Sequence, residues 1–212
     1  MILFISIVSI VMLLSFIVIL RVLLMERTLL KKLAYRDGVT GVLNRNAMDR
    51  FWGKCSDKRA LAVLFLDLDH FKDINDTLGH QAGDLLLREV GQCLQEVMQH
   101  NKQVFRLGGD EFVIIMTNVT LENAESMAAR VLDRLSNPFV IQGQKVIISG
   151  SIGISFNRAS KVKRSELFKE ADMAMYQAKR LGKGRYSVFN EDKHSYYKAT
   201  ELITVLKKSA NS

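Results

Sequence analysis

Val104–Met116 reads VFRLGGDEFVIIM, with two adjacent glycines and two adjacent acids inside an otherwise apolar, β-prone run. Glycine weakens a strand interior, and a carboxylate without a partner is costly to bury. The four residues therefore belong at a turn. That divides the run into two short strands, QVFRL and EFVIIM, joined as a hairpin. Gly108 and Gly109 permit positive φ in a tight turn and close approach of backbone to a ligand. On spacing alone two readings stay open for Asp110 and Glu111: a plain exposed Gly-Asp turn, or acids that serve chemistry.

Upstream, ALAVLFLDLDHF holds a continuous apolar run from Ala60 to Leu66 that ends at Asp67 and Asp69. A run without alternation suits a strand covered on both faces. If the hairpin pairs beside this strand, Asp67 and Asp110 converge at one end of the sheet. Carboxylates gathered without basic partners make a hard-cation site, and oxygen ligands favour Mg²⁺. Glu111 is then a further ligand or a general base. Downstream of Asp67, Lys72, Asn75 and Asp84 lie in a polar stretch bracketed by Gly79 and Gly83. Asn and Asp side chains can read a purine edge, and lysines with backbone N–H groups can hold phosphate. Lys179 and Lys183 are four apart, a spacing that places them on one helix face near its C-terminus.

The elements run strand, helix, hairpin, helix, hairpin, helix, strand. GDLLLREVGQCLQEVMQ has helical spacing, Asn44 and Thr120-to-Asn123 are helix starts, and FVIQGQKVIISGSIGISF reads as a second hairpin around Gly143. The order predicts an α+β fold with helices packed on a central antiparallel sheet.

Residues 1–20 carry no charge, and Arg21, Arg27, Lys31, Lys32 and Arg36 follow them. That length roughly matches a bilayer's hydrocarbon thickness as a helix, and the basic flank predicts a cytoplasmic C-terminal bulk. The expectation is one transmembrane helix over 1–24, a linker helix over 25–36, a catalytic domain over 37–190, and an unassigned tail over 191–212. The chain, with 212 residues and a net charge of +8, holds one well-buried domain plus an appendage. Its basic excess suits a phosphate-bearing partner or an anionic membrane surface, or is only a solvated surface. Cys55 and Cys93 lack metal-ligand spacing, which argues against a disulfide framework or zinc, and Cys93 falls in a core register. There is no GxxxxGK[ST] phosphate loop.

Four stretches carry a family resemblance: DGVTGVLNR (37–45), FLDLDHFKDINDTLGHQAGD (65–84), FRLGGDEF (105–112) and ADMAMYQAKRLGKGR (171–185). In order and spacing they resemble the signatures of the GGDEF-domain diguanylate cyclase family. The resemblance implies a nucleotidyl-cyclase-like palm, with a ferredoxin-like sheet flanked by helices. It implies condensation of two GTP into cyclic di-GMP plus two pyrophosphates, by metal-assisted 3′-hydroxyl attack on an α-phosphate across a homodimer. Two Mg²⁺ per site are implied, with Mn²⁺ as an alternative, and no nucleic-acid partner. Asp67 and Asp110 match the metal carboxylates, with the Leu68 carbonyl as a further ligand. Glu111 matches the acid proposed to bind metal or deprotonate the hydroxyl. Asn75 and Asp84 match guanine readers. Phe71 through its backbone, with Lys72, Lys179 and Lys183, matches phosphate contacts, and Arg106 lies near the same pocket. The membrane helix adds the expectation of a single-pass protein of the bacterial cytoplasmic membrane.

Departures are specific. The family's RxxD product-inhibition motif is replaced by QHNK, Gln99 to Lys102, so feedback through it is not expected. Lys183 stands where arginine is frequent, Gly184 where asparagine is, and Val39 where leucine is usual. A reading from a different class is a catalytically silent GGDEF domain that binds GTP or a protein partner.

Overall fold

The computed structural model describes residues 1–54, 60–98, 101–157 and 163–190, with residues 2–11 described as backbone alone. Cys55, Gln99, His100 and the tail 191–212 lie outside the described residues. The central strand, β1 (Leu61–Asp69), is where the fold is decided. Its even-numbered residues Ala62, Leu64 and Leu66 enter one core cluster, and Leu61, Val63 and Phe65 enter a second on the opposite face. Both faces are covered, which is why the strand reads as an unbroken apolar run.

β1 is flanked by two antiparallel neighbours, β3 (Glu111–Thr117) and β6 (Ser149–Asn157). β2 (Lys102–Gly108) hairpins onto β3, and the sheet order is β2-β3-β1-β6-β7. The expected antiparallel sheet is corrected at one edge. β7 (Tyr186–Val188) runs parallel to β6 because α6 (Arg164–Arg180) joins them as a crossover. The second predicted hairpin also divides. β4 (Phe139–Ile141) and β5 (Gln144–Val146) form a separate two-stranded ribbon, and β6 joins the main sheet.

The cluster on the even face of β1 takes in α4 (His80–Val97) and α5 (Leu121–Leu135), and the other takes in α2 (Arg45–Trp52) and α6. Asn44 caps α2 by accepting from the Ala47 N–H, and Thr120 and Asn123 form a reciprocal capping box on α5. Cys93 is buried in α4, in keeping with a packing role. One helix has no counterpart in the sequence reading: α3 (Phe71–Leu78), within the stretch read as polar. Its only apolar residues, Phe71, Ile74 and Leu78, all turn to the core.

α1 is a single helix over Ile2–Tyr35, with exposed apolar side chains such as Leu13, Phe16, Ile19 and Leu24. The expected transmembrane helix is not supported by the described residues, among which no helix is long and apolar enough to cross a membrane. Residues 2–11, half of the uncharged stretch behind that expectation, are described as backbone alone, and from Met12 to Tyr35 any 18 residues of α1 take in Arg21, Glu26 and Arg27.

α6 lies so close over β6 that a Cβ at Gly153 would stand 1.9 Å from the Ala171 carbonyl oxygen and 2.1 Å from the Met175 nitrogen. Both are helix backbone, which cannot step aside as a side-chain tip can. Gly153→Ala is expected to cost about 2–3 kcal/mol in urea unfolding, at the upper end for overpacking. A variant as stable as the parent would contradict this account of how α6 is seated.

Candidate active site

Two acids from distant parts of the chain meet because of strand register. β1 and β3 pair so that Asp67 lies opposite Glu111, and the Leu68 N–H donates to the Asp110 carbonyl at 3.3 Å. Asp67 belongs to the odd-numbered side of β1, toward α6, and there its Oδ1 receives the Lys179 ammonium at 2.7 Å. Leu68 faces the opposite way and is buried, so only its backbone borders the site.

The acids sit in mutual repulsion. Burial, with the neighbouring Asp110 and Asp69 charges, raises the Asp67 carboxyl above the usual aspartate range, despite the opposing Lys179. Glu111 is raised as well, first by burial and then by Asp67, Asp110 and Asp172, with Lys179 again opposing. One lysine does not neutralise this set. Among the described residues, no group of three or more His, Cys, Asp or Glu side chains stands ready to hold a metal ion. The donor chemistry nonetheless fits a hard cation: crowded carboxylate oxygens whose repulsion a dication would relieve. Lys179, expected as a phosphate contact, instead holds an oxygen that such a cation would need.

The turn that delivers Asp110 is built with care. Gly108 pairs with Glu111 after a bulge, leaving Gly109 and Asp110 as a two-residue turn. Gly109 has φ +54°, as the first central position of a tight hairpin requires. Arg106 then locks the turn: Nε and Nη2 donate to the Gly109 carbonyl at 3.0 and 2.7 Å, and Nη1 donates to Asp37 at 2.8 Å. Its side chain is only 9% exposed. Its guanidinium is thus committed to the turn rather than presented to a ligand, unlike the expected substrate contact. Burial alone would raise Asp37, but hydrogen bonds from Thr40 and Arg106 outweigh it and hold the carboxyl below its ordinary range.

On the α3–α4 side, a Cβ at Gly83 would fall 1.8 Å from Asn75 Oδ1, so the Asn75 side chain occupies the space glycine leaves. Asp84, the next residue of α4, is exposed beside it. Asn75 and Asp84 are therefore brought together. Phe71 begins α3, so its N–H falls outside the helix's own ladder while its ring is buried against the same Gly83. Lys72 is exposed in the first turn. Lys183 is a correction. α6 ends at Arg180, and Lys183 lies in the following loop with φ +61°, so it does not share a helix face with Lys179. The Gly182 and Gly184 flanks, both at positive φ, stop the helix before the spacing can apply.

Three contributors escaped sequence reading. Gly83 was legible only as a loop marker, because its role is to be empty. Asp37 was assigned no role within DGVTGVLNR, and its bond to Arg106 spans 69 positions. Asp69 looked like a second strand-terminal acid equivalent to Asp67, and it is not used that way.

The profile of the family described as diguanylate cyclase, GGDEF domain, matches residues 34–185. The bifunctional diguanylate cyclase/cyclic di-GMP phosphodiesterase MucR of Pseudomonas aeruginosa is 39% identical over 163 residues, covering 74% of this chain and 24% of that protein. The cyclic di-GMP phosphodiesterase PdeR of Escherichia coli is 38% identical over 166 residues, covering 77% of this chain and 25% of that protein. The chain thus spans about a quarter of the length of these curated relatives. Among solved structures, the GGDEF domain of TpbB (YfiN) from Pseudomonas aeruginosa superposes with a TM-score of 0.69 at 30% identity, over 77% of this chain and 99% of that one. Profile, relatives, fold and the convergence of the four motifs agree: the chain belongs to the GGDEF-domain family of diguanylate cyclases.

Proposed function

We propose that this chain is an active diguanylate cyclase, which condenses two GTP into cyclic di-GMP and two pyrophosphates across a homodimer. The observation that carries the reading is the β1–β3 register, which sets Asp67, Asp110 and Glu111 at one sheet end beside Lys179. Asn75 and Asp84 would read guanine, and the Phe71 N–H, Lys72 and Lys183 would hold phosphate. Asp67, Asp110, Glu111 and the Leu68 carbonyl would hold two Mg²⁺, with Mn²⁺ as an alternative. Bound there, the ions supply Lewis acidity at the α-phosphate and offset charge on the leaving pyrophosphate. Lys179, displaced from Asp67, is then free to meet a phosphate oxygen. Each protomer holds one GTP. Each 3′-oxygen bonds to the α-phosphorus of the partner's GTP, that phosphorus loses pyrophosphate, and the hydroxyl proton passes to Glu111.

A silent GTP-binding or protein-interaction module is the second reading. It is favoured by the Lys179–Asp67 pair and by relatives named as phosphodiesterases. Placement at the bacterial cytoplasmic membrane, through the uncharged stretch 1–20 that opens the chain into α1, is a further part of the proposal. Recovery in carbonate-washed membranes supports it, and release by that wash removes it.

The deciding comparison is pyrophosphate release from GTP and Mg²⁺ by the full chain in detergent, with and without Glu111→Gln. Turnover is expected to fall at least about a hundredfold in the variant, the lower range for losing an acid–base group. A fully active variant would contradict the assignment. In the same assay, added cyclic di-GMP should cause no non-competitive inhibition, since Gln99 and Lys102 replace the RxxD residues. Strong non-competitive inhibition would refute that point. Stability gives an independent check. Glu111 is raised in the folded state, so its ionised form opposes folding as pH climbs above about 4.3, the ordinary glutamate value. Glu111→Gln should therefore melt higher than the parent at pH 7 in chelator, with the gain vanishing below about pH 4. A lower melting point at pH 7 would show that the Glu111 charge is satisfied.

A further inference from the structure

Asp69 stands two residues beyond Asp67 on the same side of β1, yet its surroundings differ completely. It is 3% exposed, and its carboxylate accepts three hydrogen bonds. Ser151 Oγ donates to Oδ1 at 2.7 Å, while Ser149 Oγ at 2.7 Å and the Gly184 N–H at 3.0 Å share Oδ2. Two of these donors lie on β6. The third lies in the loop between α6 and β7. A buried carboxylate facing hydroxyls and a backbone N–H is held as an acceptor hub, with its oxygens already engaged.

That loop has an uncommon backbone. Gly182, Lys183 and Gly184 have φ of +114°, +61° and +58° in succession. Lysine at positive φ costs on the order of 1 kcal/mol and persists only where its surroundings fix it. Two fastenings do so. The Lys183 N–H donates to the Ala178 carbonyl at 3.1 Å, closing the end of α6, and the next N–H, of Gly184, goes to Asp69. The Lys183 side chain crosses to the start of α3, where its ammonium lies 3.0 Å from His70 Nε2. An ammonium only donates, so Nε2 accepts and Nδ1 carries the hydrogen, which it gives to Asp73 Oδ2 at 2.9 Å. Consecutive residues of the β1–α3 junction thus hold both the backbone and the side chain of one loop. His70, itself at φ +61°, sits between Asp69 and the exposed first turn of α3 that carries Lys72.

We propose that Asp69 is a positioning residue for phosphate recognition, which fixes the Gly182–Gly184 loop so that Lys183 is presented beside the start of α3, and that it is not a metal ligand despite its DxD spacing from Asp67. The inference rests on the nucleotide reading above. It assigns the two acids of one motif to separate tasks: Asp67 faces cationic groups across the site, and Asp69 holds the scaffold behind a basic side chain. Removing Asp69 would free the loop to relax from its left-handed backbone, and Lys183 would leave the α3 junction.

The test is titration of the full chain, in detergent with Mg²⁺, by a non-hydrolysable GTP analogue, together with hydrogen exchange of the Gly184 amide. Asp69→Ala should weaken binding about tenfold, the scale of one charge-assisted contact, and speed Gly184 exchange. Lys183→Ala should weaken binding to a similar degree, and the double variant should bind no worse than Lys183→Ala alone, because both changes remove one contact. Asp69→Asn should bind like the parent. One amide oxygen can serve Ser149 and Gly184, and the amide nitrogen can donate to the Ser151 hydroxyl. A merely structural acid would not show non-additivity with Lys183, and a metal ligand would not be rescued by asparagine. Losses that multiply in the double variant, or an Asp69→Asn as impaired as Asp67→Asn, would overturn the proposal, the asparagine arm serving even if Asp69→Ala does not fold. Unchanged Gly184 exchange in a folded Asp69→Ala would also overturn it. If the parent binds no analogue while Asp69→Ala still releases Gly184, the nucleotide reading fails and the phosphate role with it, although the loop anchor remains.

Discussion

The register between β1 and β3 is the constraint on which the site depends. Side chains alternate faces along a strand, so a slip of one residue would turn Asp67 or Glu111 to the wrong side of the sheet. Burial of alternate β1 residues in two opposite core clusters pins that register, and the turn fixes β3 against β2. The two-residue Gly109–Asp110 loop leaves no slack, and Arg106 ties the Gly109 carbonyl to Asp37. Asp37 follows Arg36, the C-cap of α1, and heads a segment whose Leu43 carbonyl accepts from the Arg106 N–H at 2.8 Å. The junction with α1 and the tip of the β2–β3 hairpin are therefore parts of one hydrogen-bonded unit.

Electrostatics divides the acids of this region by what surrounds them. Asp37 is stabilised as a carboxylate because Thr40 and Arg106 donate to it. Asp67 and Glu111 are pushed the other way, since burial and neighbouring acids outweigh the single lysine. A site that raises its own carboxyls gives up stability in the free protein. It recovers that stability only when positive charge arrives, which is the behaviour expected where a cation and a polyphosphate bind together.

Much of this was legible in the chain. An apolar run closed by Asp67, a glycine pair between β-prone segments, and the cap residues Asn44 and Thr120 each follow from local physics, and each appears in the fold. What escaped was tertiary. α3 is short, with apolar residues only at Phe71, Ile74 and Leu78, so its polar surface masked it. The parallel β6–β7 edge depends on where α6 crosses, which no local pattern encodes. Lys183 obeys helical spacing in sequence, but the helix has already stopped. Gly83 and Asp69 act through partners 8 and at least 80 positions away, Asn75 for one and Ser149 and Ser151 for the other.

The central claim is that these acids, brought together by register, perform the cyclisation rather than only hold a nucleotide. Its most direct test is the identity of the product formed by the full chain, as a dimer in detergent, from GTP and Mg²⁺. The account predicts cyclic di-GMP by chromatography and mass, with two pyrophosphates released for each molecule. A folded dimer that binds GTP and forms no cyclic di-GMP would contradict it.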